Sequence, residues 1–66
     1  MRNTIKVERA ILDITQEELA QKIGVSRQTI SSIEANRYIP STLLALKMSA
    51  LFNKPVNEFF SLEAGD

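Results

Sequence analysis

Between residues 15 and 26 the chain carries a helix start, a helix stop and a second helix start, and few folds accommodate all three in twelve residues. Thr15 followed three residues later by Glu18 is a capping box: the hydroxyl accepts from a backbone N–H of the first turn, and the carboxylate accepts from the N–H of Thr15. A helix therefore starts at Gln16. Leu19, Ala20 and Ile23 keep one of its faces apolar, and Gly24 supplies the left-handed conformation that ends it. Ser26 is a good N-cap for a second helix, with Ile30, Ile33 and Glu34 on one side at helical spacing. Gln28, Ser31, Ser32 and Ala35 point the other way, with Arg27 at the leading edge of that polar face. Asn36 suits the left-handed position after the second helix.

Two short helices joined by a glycine-containing turn, the second with a polar outer face, are the ingredients of a helix-turn-helix. An ordinary helical hairpin with a solvated outer face fits the same pattern. The residues themselves go further: QEELAQKIGVSRQTISSIEANR closely resembles the Cro/CI-type (XRE) helix-turn-helix family of phage repressors and bacterial and archaeal regulators. Gln16 at the head of the first helix, Leu19–Ala20, the Gly24 turn, the Ser26 cap and Ile33–Glu34 all match, and the resemblance runs from about Ile5 to Phe60. It implies an all-α, five-helix, lambda-repressor-like DNA-binding domain over residues 1–66. The helix-turn-helix would occupy about 16–35 and a dimerisation region about 52–63.

The first helix is expected from about Thr4 to Leu12, capped by Asn3 or Thr4. Ile5, Arg9 and Leu12 form its inward stripe, which puts a cation among apolar side chains. Glu34 lies on the inward side of the recognition helix, so an Arg9–Glu34 ion pair is predicted, as the matching positions form in the phage repressors the chain resembles. Relatives often have an apolar residue where Glu8 stands, and Val7 is expected to take over that packing. Ile14 is the hydrophobic residue just before the capping box. After the loop ending at Pro40, Ser41 caps a fourth helix, Thr42 to about Phe52, with Leu44, Ala45, Met48 and Phe52 inward and Leu43, Leu46 and Ala50 off that stripe. Asn53 closes it, and Pro55 opens a fifth short helix, PVNEFF. The apolar residues there mark an interface, which the family's habit of dimerising near its last helices locates at Pro55, Val56, Phe59, Phe60 and Leu62. Core filling is the alternative. The tail SLEAGD adds a strand against Arg2 and Asn3, or frays.

Charge and composition limit the chemistry. The formal net charge is +0, yet from Leu19 to Asn57 the charged residues are Lys22, Arg27, Glu34, Arg37, Lys47 and Lys54, and the tail after Asn57 carries only Glu58, Glu63 and Asp66. A basic middle suits a face presented to phosphates; charges that merely confer solubility read the same way. Histidine and cysteine are absent, which removes imidazole acid–base chemistry, thiol chemistry and the common zinc sites. Glu17 and Glu18 are adjacent on one helix and do not converge. An enzyme is not expected, nor a metal, cofactor or small-molecule ligand. The apolar runs are too short to span a bilayer and the N-terminus lacks the apolar core of a signal peptide, so the expected location is the cytoplasm.

In a helix-turn-helix the N-terminal residues of the second helix meet base edges in the major groove. Arg27 and Gln28 are the first choices for reading bases, Arg for guanine and Gln for adenine, with Ser31 and Ser32 behind them. Gln16 resembles the family's phosphate-anchoring glutamine, and Ser26, Thr29, Asn36, Arg37 and Tyr38 are placed to touch flanking phosphates. The expected partner is double-stranded DNA. The resemblance implies a homodimeric repressor of a palindromic operator with half-sites about 34 Å apart; a DNA-binding antitoxin and a protein-interaction module on the same scaffold are the alternatives.

Overall fold

A computed structural model describes all of residues 1–66. Four helices, α1 (Ile5–Leu12), α2 (Gln16–Ile23), α3 (Arg27–Glu34) and α4 (Thr42–Phe52), are followed by a single 3-10 turn at Val56–Glu58. Arg2–Asn3 (β1) pairs antiparallel with Phe60–Ser61 (β2), Arg2 opposite Ser61 and Asn3 opposite Phe60. Each helix gives way to a residue in the left-handed region: Asp13 (φ 55°), Gly24 (φ 79°), Asn36 (φ 61°) and Asn53 (φ 55°). Glycine reaches that region without a Cβ penalty and Asx residues tolerate it, so chain direction reverses at four points with little strain. At all four the chain bonds back five residues, Ile14 to Arg9, Val25 to Ala20, Arg37 to Ser32 and Lys54 to Ser49, which satisfies carbonyls of the last turn.

The helix starts are equally local. Thr15 Oγ1 accepts from Glu18 N–H at 3.0 Å while Glu18 Oε1 accepts from Thr15 N–H at 2.9 Å, closing the capping box. Ser26 and Ser41 cap α3 and α4 by accepting from the N–H groups of Thr29 and Leu44. At α1 the cap comes from Asn3, whose Oδ1 accepts from Ile5 N–H, and not from the Thr4 hydroxyl. The backbone bond from Thr15 holds the Glu18 carboxyl below its ordinary value. A carboxylate with a depressed folded pKa adds stability above its unfolded value of 4.5 and loses it as pH falls through the folded one. Denaturant midpoints measured across that acid range should therefore fall less steeply for Glu18→Gln, which keeps the box but cannot titrate; identical slopes would rule out the contribution.

The core comprises Ile5, Leu19, Ala20, Ile23, Ile30, Ile33, Met48, Phe52, Phe59 and Phe60. The expected stripes of α2, α3 and α4 are inward, with Leu44 and Ala45 half-buried against the core, and Leu43, Leu46 and Ala50 are exposed. On α1 the expectation needs two corrections. Leu12 is exposed, because the inward line of α1 ends at Arg9 and its last turn leaves the core. Val7 is also exposed, and Glu8 turns in instead, 5% accessible, with Lys54 Nζ 3.0 Å from its carboxylate. That ion pair ties α1 to the chain following α4 and keeps a buried carboxylate from standing alone.

The C-terminal region needs a third correction. No fifth α-helix forms: Glu58 and Phe59 bond back three residues, to Pro55 and Val56, and the pairing of Phe60 and Ser61 with β1 then draws the chain out. In passing from turn to strand, the adjacent Phe59 and Phe60 both enter the core, at 1% and 6% accessibility, with Phe59 edge-on to Phe52 at 5.0 Å between ring centroids. Both phenylalanines thus belong to the core of the chain. Of the expected interface set, Pro55 and Leu62 are exposed and Val56 is half-buried. The tail's strand is confined to Phe60–Ser61.

Candidate nucleic-acid interface

The polar face of α3 opens onto a concavity of about 810 Å³ lined by Arg27, Gln28, Ser31, Ser32 and Arg37, with no apolar side chain among them. Arg27 and Gln28 are exposed in the first turn, and Ser31 and Ser32 are half-buried along the helix. Short side chains in the middle of this face leave its depth unfilled. Arg37 reaches it because of the reversal at Asn36: Asn36 N–H donates to Ile33 O at 3.0 Å and Arg37 N–H to Ser32 O at 2.9 Å. A helix continuing past Ala35 would have carried residue 37 on around the axis. Ser26, Thr29 and Tyr38 join Gln28, Ser32 and Arg37 around a neighbouring depression, and the Ser26 and Thr29 hydroxyls lie 2.9 Å apart.

Behind α3 stands the pair predicted from the charged residue in α1. Arg9 Nε donates to Glu34 Oε2 at 2.7 Å and its terminal nitrogen to Glu34 Oε1 at 3.1 Å, a two-pronged contact, while the third guanidinium nitrogen donates to Ile14 O at 3.2 Å. The hydrogen bond to Glu34 raises the Arg9 pKa above its usual value, against a smaller opposing effect of burial. Gln16 belongs to the same cluster, its Nε2 donating to Glu34 Oε1 at 3.2 Å. An amide nitrogen carries two N–H groups, so one stays free for an anion at the head of α2. Three helices thus meet at one carboxylate.

Lys6 and Asn3 join the site without having been marked for it in the sequence. Lys6, one turn before Arg9 on α1, shares a cleft of about 600 Å³ with Arg9, Gln16 and Arg27; its spacing from Arg9 was the available signal. Asn3 Nδ2 donates to Ile33 O and to Asn36 Oδ1, both at 2.9 Å, and so fixes the Asn36 amide from β1. The cations of the basic middle do not all face one way. Lys54 is held by Glu8, and Lys47 donates to Ile23 O at the end of α2, where a cation also suits the helix dipole. Of that middle, Arg27 and Arg37 are set around the polar concavity, and Lys6, from α1, joins Arg27 in the adjoining cleft. No group of three or more carboxylates converges in a way that would hold a metal ion, and no helix is long and apolar enough to cross a membrane.

Two eight-residue helices joined through Gly24, the second capped by Ser26 and presenting a polar outer face, define a helix-turn-helix domain. A helix-turn-helix family model matches residues 5–59, and the chain belongs to the Cro/CI-type (XRE) helix-turn-helix family. It is 46% identical over 63 residues to an HTH-type transcriptional regulator of Methanocaldococcus jannaschii, the match covering 96% of each chain. To the HTH-type transcriptional regulator YgzD of Bacillus subtilis it is 43% identical over 63 residues, again 96% of each. The ImmF control region 10 kDa protein of Bacillus phage phi105 is 38% identical over 53 residues, which cover 80% of this chain and 59% of the phage protein.

Proposed function

We propose that this protein is a sequence-specific double-stranded DNA-binding regulator of transcription that acts as a homodimeric repressor on a palindromic operator. The observation that carries the reading is the all-polar concavity of α3, with Arg27 at one end and Arg37 at the other, on a chain of the helix-turn-helix family. A helix of this diameter enters the major groove, and in that position Arg27 and Gln28 meet base edges while Ser31 and Ser32 lie along the groove. Gln16, Ser26, Thr29, Asn36 and Tyr38 then fall beside phosphates, which set register without reading sequence. The relatives named as transcriptional regulators support the same reading, and a twofold dimer puts the two recognition helices about 34 Å apart.

Binding to the protein's own promoter fragment, measured at two salt concentrations, tests it. Affinity should fall steeply as salt rises, because each neutralised phosphate releases counterion, and a footprint should show two symmetric half-sites. Absence of binding at low salt would sink the proposal.

A further inference from the structure

The side-chain amide of Asn3 stands where β1, α1 and α3 meet. The backbone sets its place: Asn3 pairs with Phe60 in the strand register, and the next N–H, that of Thr4, donates to Phe59 O at 2.9 Å. From there Asn3 Oδ1 accepts from Ile5 N–H at 3.2 Å, at the start of α1, while Nδ2 donates to Ile33 O and to Asn36 Oδ1, both at 2.9 Å, at the end of α3. The Ile5 N–H only donates and the Ile33 carbonyl only accepts, so together they dictate which end of the Asn3 amide faces which, and its second N–H is left for Asn36. Asn36 is exposed, in the left-handed region at φ 61°. Its carbonyl oxygen takes the bond from Asn3, which turns its own NH2 group away from Asn3. Phosphate oxygens only accept hydrogen bonds, so an asparagine serves a DNA backbone only through that NH2. An untethered asparagine amide turns about its last bond and offers either end.

We propose that Asn3 is a positioning residue for DNA binding: it does not touch the duplex, but it holds the Asn36 amide with its donors presented to the phosphate beside the end of the recognition helix. The inference rests on the DNA-binding reading above and adds to it a residue of the N-terminal strand. Setting the amide before DNA arrives removes an ordering cost from binding. Few side chains could replace Asn3. A carboxylate at that position would still accept from Ile5 N–H but has no donor for Ile33 O or Asn36 Oδ1, and a serine hydroxyl has one donor on a shorter stem. Asn3 also braces α3 through Ile33 O, so its effect on binding has to be told apart from an effect on the fold.

Two variants and their combination make that separation. Asn3→Ser keeps an oxygen able to accept from Ile5 N–H and loses the bridge to α3. Asn36→Gly removes the amide, and glycine adopts a φ of 61° without strain. Binding to the protein's own promoter fragment and to an unrelated duplex is measured at a temperature where circular dichroism shows every variant folded. Asn36→Gly should weaken both by the same factor, about three- to tenfold per bound copy, the worth of one hydrogen bond, because a phosphate contact does not read sequence. Asn3→Ser should lose a large part of that factor, and in the Asn36→Gly background it should lose nothing further, since it acts through the missing amide. A role confined to the fold would make the two losses multiply. Nitrogen-15 relaxation of the Asn36 side-chain amide in the protein without DNA supplies a second readout, ordered in the wild type and mobile in Asn3→Ser. Wild-type binding by either single variant, losses that multiply, or an Asn36 amide equally mobile in both proteins would each overturn the inference and leave the regulatory reading standing. A wild type that binds no DNA would overturn both.

Discussion

Arg9→Ala should lower the midpoint of thermal unfolding by roughly 15–30 °C. Arg9 and Glu34 have side chains only 14% and 10% exposed, and the substitution leaves the Glu34 carboxylate inside the protein with Gln16 as its remaining side-chain partner. Breaking a buried pair from one side costs about 3–5 kcal/mol. A chain of 66 residues has a total stability of roughly 3–10 kcal/mol, and each kcal/mol moves the midpoint of so small a domain by about 4–8 °C. Replacing both partners separates the charge from the packing: Arg9→Met with Glu34→Leu removes the stranded carboxylate and should recover most of the loss. The hydrogen bond to Glu34 raises the Arg9 pKa above its already high ordinary value, so the guanidinium stays charged and its contribution is lost only in strong alkali. The effect should thus be flat across neutral pH. An unchanged midpoint would mean that the pair carries no net stability.

That pair was legible in the sequence because a cation in an apolar stripe demands a carboxylate, and Glu34 was the one carboxylate facing inward on a neighbouring helix. The helix boundaries were legible for a simpler reason. Thr15, Ser26 and Ser41 act on N–H groups three residues away, and Gly24, Asn36 and Asn53 on carbonyls of the turn they close, so a few residues of sequence contain the whole interaction. The misreadings share the opposite property. Glu8 is buried only because Lys54 reaches it from 46 positions along the chain, and no periodicity in α1 carries that information. The turn at Val56–Glu58 gives way to a strand because β1 is there to pair with it, and the strand in turn carries Phe60 inward beside Phe59. Read as a helix, the segment leaves part of its apolar surface unmatched, whereas the turn and strand bring both phenylalanines into the core. The polar face of α3 was legible residue by residue. The engagement of Lys47 and Lys54 away from that face was not, since charge counted along a chain says nothing of direction.

Arg27→Ala combined with Gln28→Ala should weaken operator binding by about 2–6 kcal/mol, from thirtyfold to more than ten-thousandfold at fixed salt, while leaving the unfolding midpoint in place. Each bidentate contact to a base edge is worth about 1–3 kcal/mol of discrimination. Consecutive helical positions project in different directions and so reach different base pairs, which makes simple addition a fair first expectation. Stability should hold because both side chains are exposed and the Ser26 cap of α3 involves neither. Binding to unrelated DNA is the control that gives the result its meaning. Arg27 adds a positive charge whichever base it faces, so its loss alone costs some affinity for any duplex; Arg27→Lys keeps that charge but not the planar fork, and should lose preference at one operator position while retaining non-specific binding. Tyr38→Ala, by contrast, should weaken operator and random DNA alike. If the double variant also weakened both by the same factor, Arg27 and Gln28 would be phosphate contacts, and the reading of sequence would have to come from Ser31, Ser32 or the returning Arg37.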